Sequence, residues 1–316
     1  MIKPIDGFRL SRLCDYSFGD QSGSFGKLPN WFQKPANDTN KEFLKVLDSV
    51  SERRDWMTLY IDNIRLYKRD IQQVKESDRE YVQSLMQENN LLELCGNYPE
   101  MKFVIFTGLE DTPLDYFIVD QIPENVIRIN AAQGLHDVDK VKPLINGIQR
   151  KMSRNDFRSE LLSSSIFLNL RVRNPRYLLY VNHSNKTNPQ RSRVKDIFRN
   201  KGFANVVEER RGHARFYSDI QNSSFVICPE GNGLDCHREW EVIYLGRVPV
   251  MKRHPYLESL HRGRNVLFVD DYEEVSEEFL LHNMDLLHRA QYQNLNPLDL
   301  KNYFQSTLED SLKVIK

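Results

Sequence analysis

Short apolar runs alternate with amphipathic segments along much of the chain. In the second half the apolar runs are Tyr177–Val181, Asn205–Val207, Ser224–Cys228, Val248–Val250 and Asn265–Val269. Each of them is followed by a segment with helical periodicity. Short buried strands that are separated by helices are typical of a parallel sheet. The pattern therefore predicts a doubly wound parallel α/β domain in this half.

The helices of this half are predicted between and after those strands. They cover residues 191–200, 214–222, 236–245 and 255–261, with another from Ser276. A helix after each strand returns the chain across the sheet, as parallel strands require. A last helix is predicted over residues 298–314, packed back on the first domain.

The first half carries a weaker version of the same pattern. Apolar runs at Lys102–Thr107 and Val126–Ile129 predict strands. The alternation of Met57, Leu59 and Ile61 predicts a further strand. The first half is therefore also predicted to be α/β.

Helix and loop signals surround these strands. Thr39 and Glu42 form a capping box, which predicts a helix start. A second helix is predicted over residues 78–94 and ends at Cys95–Gly96. Residues 20–40 are rich in Gly, Ser, Pro and Asn, which predicts a long loop.

The chain length suits two domains of ordinary size, since it has 316 residues. We predict an N-terminal α/β domain over residues 1–170 and a Rossmann-like domain over residues 171–285. Residues 286–316 are predicted to be a C-terminal helical segment. The polar stretch 171–176 is the candidate linker.

Composition excludes fibrous, disordered and membrane-spanning classes. Hydrophobic residues make up 40% and charged residues 28%, and no apolar run approaches the ~18 residues of a membrane helix. The first residues lack the apolar core of a signal peptide. We therefore expect a cytoplasmic protein, of a microbe or an infected host cell, without membrane insertion and with four reduced, free cysteines.

Charge is unevenly distributed although the net charge is zero. Residues 171–270 carry 18 Lys or Arg against 10 Asp or Glu, and the flanking regions are acidic. One interpretation is chance distribution over solvated helix faces. The other is a site for an anion, such as a phosphate-bearing ligand or a nucleic acid.

One segment, residues 225–250, carries candidate chemistry. A predicted strand is followed by a Gly-rich turn and then by a helix, which is where open α/β sheets bind ligands. Gly231 and Gly233 allow close backbone approach, and the helix N-terminus favours an anion. Arg238 supplies a donor fork for phosphate, and Glu241, one turn later, suits ribose hydroxyls. The combination predicts a nucleotide site. A tight turn followed by a salt-bridged helix explains the same residues, and the sequence leaves both open.

The same segment resembles the C-terminal signature of exostosin-type glycosyltransferases, in the branch of microbes and viruses. The matching positions are Cys228, Pro229, Gly231, Gly233, Arg238, Glu241, Gly246, Pro249 and Val250. The resemblance is strong over residues 175–270, weaker over residues 102–148 and absent over residues 1–100.

This resemblance implies a GT-B architecture, with two Rossmann-like domains facing a cleft. It implies an inverting transfer from a nucleotide-diphosphate sugar, with UDP as the expected nucleotide and no catalytic metal. Arg238 would bind the diphosphate and Glu241 the ribose. Animal and plant exostosins are anchored in the secretory pathway. Because no such anchor is apparent here, we expect a glycan or another cytosolic hydroxyl as acceptor.

Further site residues follow from position alone. The loop after Val181 is polar, and Asn182, Ser184 and Arg191 are predicted to hold phosphate or the donor sugar. Asn232, in the Gly-rich turn, is predicted to have the same role.

The candidate general bases are carboxylates of the first domain. They are Asp20, Glu110 and Asp111, with Asp15 as a further one. We expect His183 and His237 to be hydrogen-bonding neighbours of the donor.

Two other functions remain open at this stage. Basic segments at residues 191–195, 210–215 and 252–254 would suit a glycosyltransferase that modifies a hydroxylated or glycosylated base in DNA. A non-catalytic module that binds a nucleotide or a sugar phosphate would keep the turn and lack a base.

Overall fold

The computed structural model describes residues 3–5, 10–11, 13–18, 36–62, 66–67, 72, 90–108, 114–134, 138–148, 170–171, 173–209 and 211–314. The chain forms two compact units. The N-terminal unit comprises Gly7–Ile145, Lys151–Arg154 and Tyr303–Lys316. The C-terminal unit comprises Met1–Asp6, Asn146–Arg150 and Asn155–Asn302. Each unit has a parallel sheet, which confirms the predicted α/β class with parallel sheets.

The sheet of the N-terminal unit follows the order of the chain. Its strands are β1 Tyr16–Phe18, β2 Trp56–Ile61, β3 Lys102–Thr107, β4 Val126–Ala131 and β5 Val141–Pro143. Neighbouring strands pair in the order β1-β2-β3-β4-β5. The strand predicted from Met57, Leu59 and Ile61 is present as β2, which is buried at every position except the first. A parallel sheet that is covered on both faces produces such continuous burial.

Two helices in the described part of the chain before β3 differ in part from the predictions. Helix α1 spans Ala36–Ser51 and begins three residues before the predicted Thr39. Residues 36–40 are therefore helical rather than loop. Helix α2 spans Leu91–Gly96, starts at an Asn90 cap and ends where predicted. Residues 78–89 and 20–35 lie outside the described part of the chain.

The strands of the C-terminal sheet are parallel but do not pair in the order of the chain. Its strands are β6 Tyr177–Val181, β7 Ala204–Val206, β8 Ser223–Ile227, β9 Val248–Lys252 and β10 Leu267–Val269. They pair in the order β10-β9-β8-β6-β7. The five predicted strands are confirmed to within about two residues. The chain adds β7 on one side of β6 and β8 on the other, which places a topological switch point between β6 and β8. Open α/β sheets bind ligands at such a point, at the carboxyl ends of the strands.

Helices connect these strands much as the pattern predicts. They are α3 Gln190–Phe198, α4 His213–Gln221, α5 His237–Tyr244, α6 Pro255–Leu260, α7 Glu277–His282 and α8 Met284–Gln291. The helix predicted from Ser276 is divided in two. Ser276 caps α7 through its hydroxyl, and the chain leaves helical geometry at Asn283 before α8 begins.

The last helix, α9 Leu300–Leu312, packs mainly on the N-terminal unit. The Phe304 ring lies 5.0 Å from the Phe106 ring, and the Ser311 hydroxyl accepts a hydrogen bond from Asn130 Nδ2 at 3.2 Å. The Tyr303 hydroxyl accepts from the backbone N–H of Ile145 at 3.0 Å.

The first described residues belong instead to the C-terminal unit. The N–H of Ile5 donates to the Tyr244 hydroxyl at 2.8 Å, and the N–H of Lys3 donates to Asp299 Oδ2 at 2.8 Å. These bonds join positions more than 200 residues apart in the chain.

The four cysteines are free thiols, as predicted. Among the residues that the structure describes, every helix is too short or too polar to span a bilayer.

Candidate functional site

The candidate site lies at the switch point of the C-terminal sheet. Asn182 and His183 directly follow β6. The Gly-rich turn, Pro229–Asp235, comes shortly after β8 and leads into α5. The structure thus brings together two segments that are about 45 residues apart in the chain, at the edge where a ligand is expected.

Close packing explains the first glycine of the turn. A Cβ atom on Gly231 would lie 3.0 Å from Cys236 Sγ and 3.1 Å from Arg191 Nη2. The N–H of Gly231 donates to the Gly233 carbonyl at 3.0 Å, and Asn188 Nδ2 donates to the Gly231 carbonyl at 3.2 Å. Asn232, between the two glycines, is exposed. The turn is therefore compact and bonded to the loop before α3.

Arg191 connects the turn to that loop. Its guanidinium donates to the carbonyls of Pro229 at 2.8 Å and Glu230 at 2.7 Å, and to Thr187 Oγ1 at 2.8 Å. Burial lowers the pKa of Arg191. In this structure the guanidinium positions the backbone of the turn, and its direct contact with a ligand stays a prediction.

The predicted residues after β6 differ in environment. Asn182 is buried, and its Nδ2 donates to the carbonyls of Val207 at 2.8 Å and Glu209 at 3.1 Å. Ser184 is exposed, and its Oγ accepts from the N–H of Lys186 at 3.3 Å. Asn182 thus holds the carboxyl ends of β6 and β7 together, while Ser184 faces solvent.

Arg238 is in the first turn of α5. Its Cζ lies 5.0 Å from the centroid of the Phe216 ring on α4, within range of a cation–π contact. Its Nη1 is buried and has no hydrogen-bond partner among the described residues. A buried guanidinium nitrogen without an acceptor is costly, and an anion bound here would supply one.

Glu241 lies one turn after Arg238 on the same helix. The side chain is buried, and Oε1 accepts a hydrogen bond from the Tyr217 hydroxyl at 3.0 Å. Phe216 and Tyr217 are adjacent on α4, so one helix orients both candidate residues.

The His183 side chain is buried at the end of β6. It is 4% exposed, and among the described residues neither ring nitrogen has a partner at full hydrogen-bond geometry, although the Asn185 side chain acts on the ring as a hydrogen-bonding neighbour. Burial lowers its pKa to about 3, helped by the charges of Arg238, Arg191 and Lys195, and Asn185 offsets this in part. The imidazole is therefore neutral at pH 7.

An acid pair lies beneath the start of α5. Asp235 accepts hydrogen bonds from the N–H of Asn146 at 2.8 Å and from Trp240 Nε1 at 2.6 Å. Glu239 accepts from the N–H of Cys236, which begins the helix. Burial raises the pKa of Asp235 to about 6 and that of Glu239 well above its usual range, the latter also because of Asp235. Sequence analysis did not single out this pair, in which Asp235 precedes the helix and Glu239 lies in its first turn.

Two histidines complete this region. His237 Nδ1 lies 2.7 Å from the Gly147 carbonyl, within hydrogen-bond distance. His261 stacks on Trp240 with ring centroids 4.5 Å apart. Burial lowers the pKa of His261 to about 3, and the nearby charge of Arg264 adds to this effect.

The basic segments are largely engaged within the protein. Arg193 pairs with Glu273 at 2.8 Å, Lys195 with Glu208 at 3.4 Å and Arg211 with Glu209 at 2.6 Å. Arg253 pairs with Glu258 and Asp270. Fully buried Arg247 donates to backbone carbonyls, including that of Gln221. Cations with acidic or carbonyl partners do not favour a nucleic-acid face.

The candidate bases are only partly visible. Asp20, Glu110 and Asp111 lie outside the described residues. Asp15 is described, and it accepts hydrogen bonds from Thr58 and Arg54 at the amino end of β2. Burial raises its pKa, but these bonds outweigh that effect and lower the pKa. A cavity of about 250 Å³ beside it lies at the edge opposite to the one where parallel sheets bind ligands.

Within the described ranges, His, Cys, Asp and Glu side chains form no cluster that could hold a metal ion. The switch-point residues instead offer donors suited to an oxyanion.

Comparison with known proteins gives limited similarity. No protein-family model and no curated protein sequence matches the chain. Among solved structures, it is similar to the catalytic domain of starch synthase IV from Arabidopsis thaliana, bound to ADP and acarbose. The identity is 10% and the TM-score 0.40, over 89% of this chain and 77% of that one. We base no inference on a similarity of this size.

Proposed function

We propose that the chain is a glycosyltransferase of the exostosin type, with a GT-B scaffold, which transfers a sugar from a nucleotide-diphosphate donor. One observation carries the proposal. The buried Nη1 of Arg238 has no partner among the described residues, beside a Gly-rich turn at the switch point of a parallel sheet. This is the position and the chemistry that a diphosphate requires.

Arg238 would bind the diphosphate of the donor. The guanidinium is planar and can donate two parallel hydrogen bonds to phosphate oxygens. Its contact with the Phe216 ring fixes the guanidinium and leaves its N–H groups free to donate to phosphate. Negative charge increases on the diphosphate as the sugar leaves, so this interaction would strengthen in the transition state.

Glu241 would accept hydrogen bonds from the ribose. The Tyr217 hydroxyl donates to one of its oxygens and fixes the orientation of the carboxylate. A carboxylate has about four acceptor sites, so it retains capacity for a ribose hydroxyl. The spacing of Arg238 and Glu241 by one helical turn suits the distance from phosphate to ribose.

The transfer would be a single inverting displacement. An acceptor hydroxyl of a glycan or another molecule attacks the anomeric carbon, and the bond from that carbon to the diphosphate oxygen breaks. The nucleoside diphosphate, with UDP expected, leaves with the electron pair. A general base takes the hydroxyl proton, and Asp20, Glu110 and Asp111 remain the proposed candidates.

The test uses the whole purified chain. It is incubated with UDP-, ADP- and GDP-linked hexoses and pentoses and with a panel of hydroxyl acceptors, and products are identified by mass. Thermal unfolding with each nucleoside diphosphate reports binding separately. We expect transfer from one donor and a raised melting temperature with its nucleotide. Absence of both effects for every nucleotide would exclude the proposal.

The same assays identify a non-catalytic binding module. Such a module would show nucleotide-dependent stabilisation without any transfer. If transfer occurs, Asp20→Asn, Glu110→Gln and Asp111→Asn should include one variant that loses turnover and keeps its affinity for the nucleotide. Unchanged turnover in all three variants would exclude these residues as bases.

A further inference from the structure

We propose that His183 belongs to the diphosphate site and donates a hydrogen bond from its neutral imidazole to a diphosphate oxygen. This inference rests on the function proposed above, because it assigns a further residue to the same donor. It adds an uncharged donor to a site in which Arg238 supplies the charge.

The first support is the state of the two side chains. Both nitrogens of His183 and Nη1 of Arg238 are buried, and among the described residues none of the three has a partner at full hydrogen-bond geometry; the one hydrogen-bonding neighbour that acts on the His183 ring is the Asn185 side chain. Unsatisfied buried polar groups are few in native proteins, and each is costly. Arg238 is also the charged group that acts most strongly on the His183 ring. One anion bound between them would satisfy both side chains.

The second support is position. His183 follows β6 by two residues, on one side of the switch point, and the Gly-rich turn follows β8 on the other side. Arg191 fixes the two segments to each other, since it donates to the carbonyls of Ser184 at 3.2 Å and Pro229 at 2.8 Å. These bonds hold the backbone next to His183 against the Gly-rich turn.

The third support is the charge around the ring. The charged groups that act on His183 are Arg238 from α5 and Arg191 and Lys195 from α3, and all of them are cationic. Burial is the larger cause of the lowered pKa of His183, and these charges add to it, so the free imidazole is neutral, with one N–H donor and one acceptor nitrogen. A bound diphosphate would reverse the local field and raise the pKa of His183. Diphosphate binding should then be coupled to proton uptake as the pH falls.

Affinity measurements test the assignment. The probes are UDP and inorganic diphosphate, titrated by calorimetry into the wild type, His183→Leu, His183→Asn and His183→Gln. We expect His183→Leu to weaken binding of both probes by about 10- to 100-fold, as for the loss of a hydrogen bond to a charged group. The amide N–H of Asn lies near the position of Nδ1, and that of Gln lies near the position of Nε2. The variant that restores affinity therefore identifies which ring nitrogen donates. His282→Gln, an exposed site on α7, is the matched control.

Stability and pH dependence separate ligand binding from a structural role. Without ligand, His183→Leu should unfold at the same temperature as the wild type or a higher one, because it removes an unsatisfied polar group. Between pH 8 and pH 5, diphosphate affinity should rise more in the wild type than in His183→Gln.

Three results would overturn the inference. If UDP binding is abolished by Arg238→Ala and unchanged in His183→Leu, the proposed function stands and the assignment of His183 fails. If His183→Leu lowers the melting temperature and leaves affinity intact, the residue is structural. If neither probe binds the wild type, both proposals fail.

Discussion

At the scale of single residues, arginines of the basic region differ in whether they have partners. Arg238 has a buried guanidinium nitrogen without an acceptor among the described residues, whereas Arg193, three positions after the start of its helix, has Glu273 at 2.8 Å. Two arginines of one basic region thus differ in what they can bind. Removing the first should affect ligand binding, and removing the second should not.

Arg238→Ala should reduce turnover by about 10²- to 10³-fold, which corresponds to ~2.7–4 kcal/mol for a lost transition-state donor. Arg238→Lys should restore only part of this, since an ammonium group lacks the planar fork. The measurement is steady-state kinetics with nucleotide affinity and thermal unfolding. Arg193→Ala is the control. Wild-type kinetics in folded Arg238→Ala would place the donor site elsewhere.

Glu241→Gln should act mainly on donor affinity. A neutral amide accepts a weaker hydrogen bond than a carboxylate, so we expect a loss of about 1.5–3 kcal/mol in nucleotide binding. Tyr217→Phe removes only the bond that orients Glu241 and should give a smaller loss. Affinities for UDP and for inorganic diphosphate are compared. Equal losses for both probes would contradict a contact with ribose.

The spacing of residues in the sequence singled out some of these candidates and not others. It singled out Arg238 and Glu241, which the structure places together on one helix face. It could not show that the guanidinium of Arg191 is bound to the carbonyls of Pro229 and Glu230, because backbone partners leave no trace in the sequence. Nor could it show that the His183 ring is buried beside Arg238.

At the scale of elements, the turn depends on bonds from a neighbouring helix. Arg191→Ala would leave the carbonyls of Pro229 and Glu230 without their donor, at a cost of about 1–3 kcal/mol. Urea unfolding should show this loss, and nucleotide affinity should fall with it. A variant with wild-type stability would show that solvent replaces these bonds.

Buried His261, which stacks on Trp240 of α5, should make the free energy of unfolding depend on pH. An unfolded histidine titrates near 6.5, whereas the pKa of His261 is about 3 in the folded protein. Between those values the unfolded state binds one more proton, so stability falls as the pH drops from ~6.5 towards ~3. His261→Phe keeps the stacking on Trp240 and should remove up to ~1.4 kcal/mol of this dependence per pH unit.

Chemical unfolding at several pH values checks this prediction. His282→Phe, on an exposed surface, should keep the pH dependence of the wild type. Parallel curves for the wild type and His261→Phe would show that His261 is protonated in the folded state.

The strands of the C-terminal sheet were predictable because buried apolar runs and helical segments alternate there without interruption. Strand order was not, since the placement of β8 beside β6 depends on pairing between distant segments. Short strands such as β1 and β5 have three residues each, too few for a periodic pattern. The split at Asn283 was also missed, because the apolar periodicity continues through it.

At the scale of the whole molecule, each unit includes a segment from the far end of the chain. We therefore expect that ending the chain at Asn302 destabilises the N-terminal unit, which loses the contacts of Phe304 and Ser311. The C-terminal unit contains the candidate site and should still bind UDP. Thermal unfolding with and without UDP distinguishes the two units. Loss of UDP binding by this variant would contradict the assignment of the site to one unit.

The exchanged segments also determine when folding can finish during protein synthesis. The strands of the N-terminal unit are translated before α9, which covers Phe106 and Asn130. Conversely, Ile5 is translated before Tyr244, its partner 239 residues later. Neither unit can therefore complete its contacts while most of the chain is still unmade. A nascent chain released early would expose apolar surface from both units, which is the form that chaperones bind and that aggregates most readily.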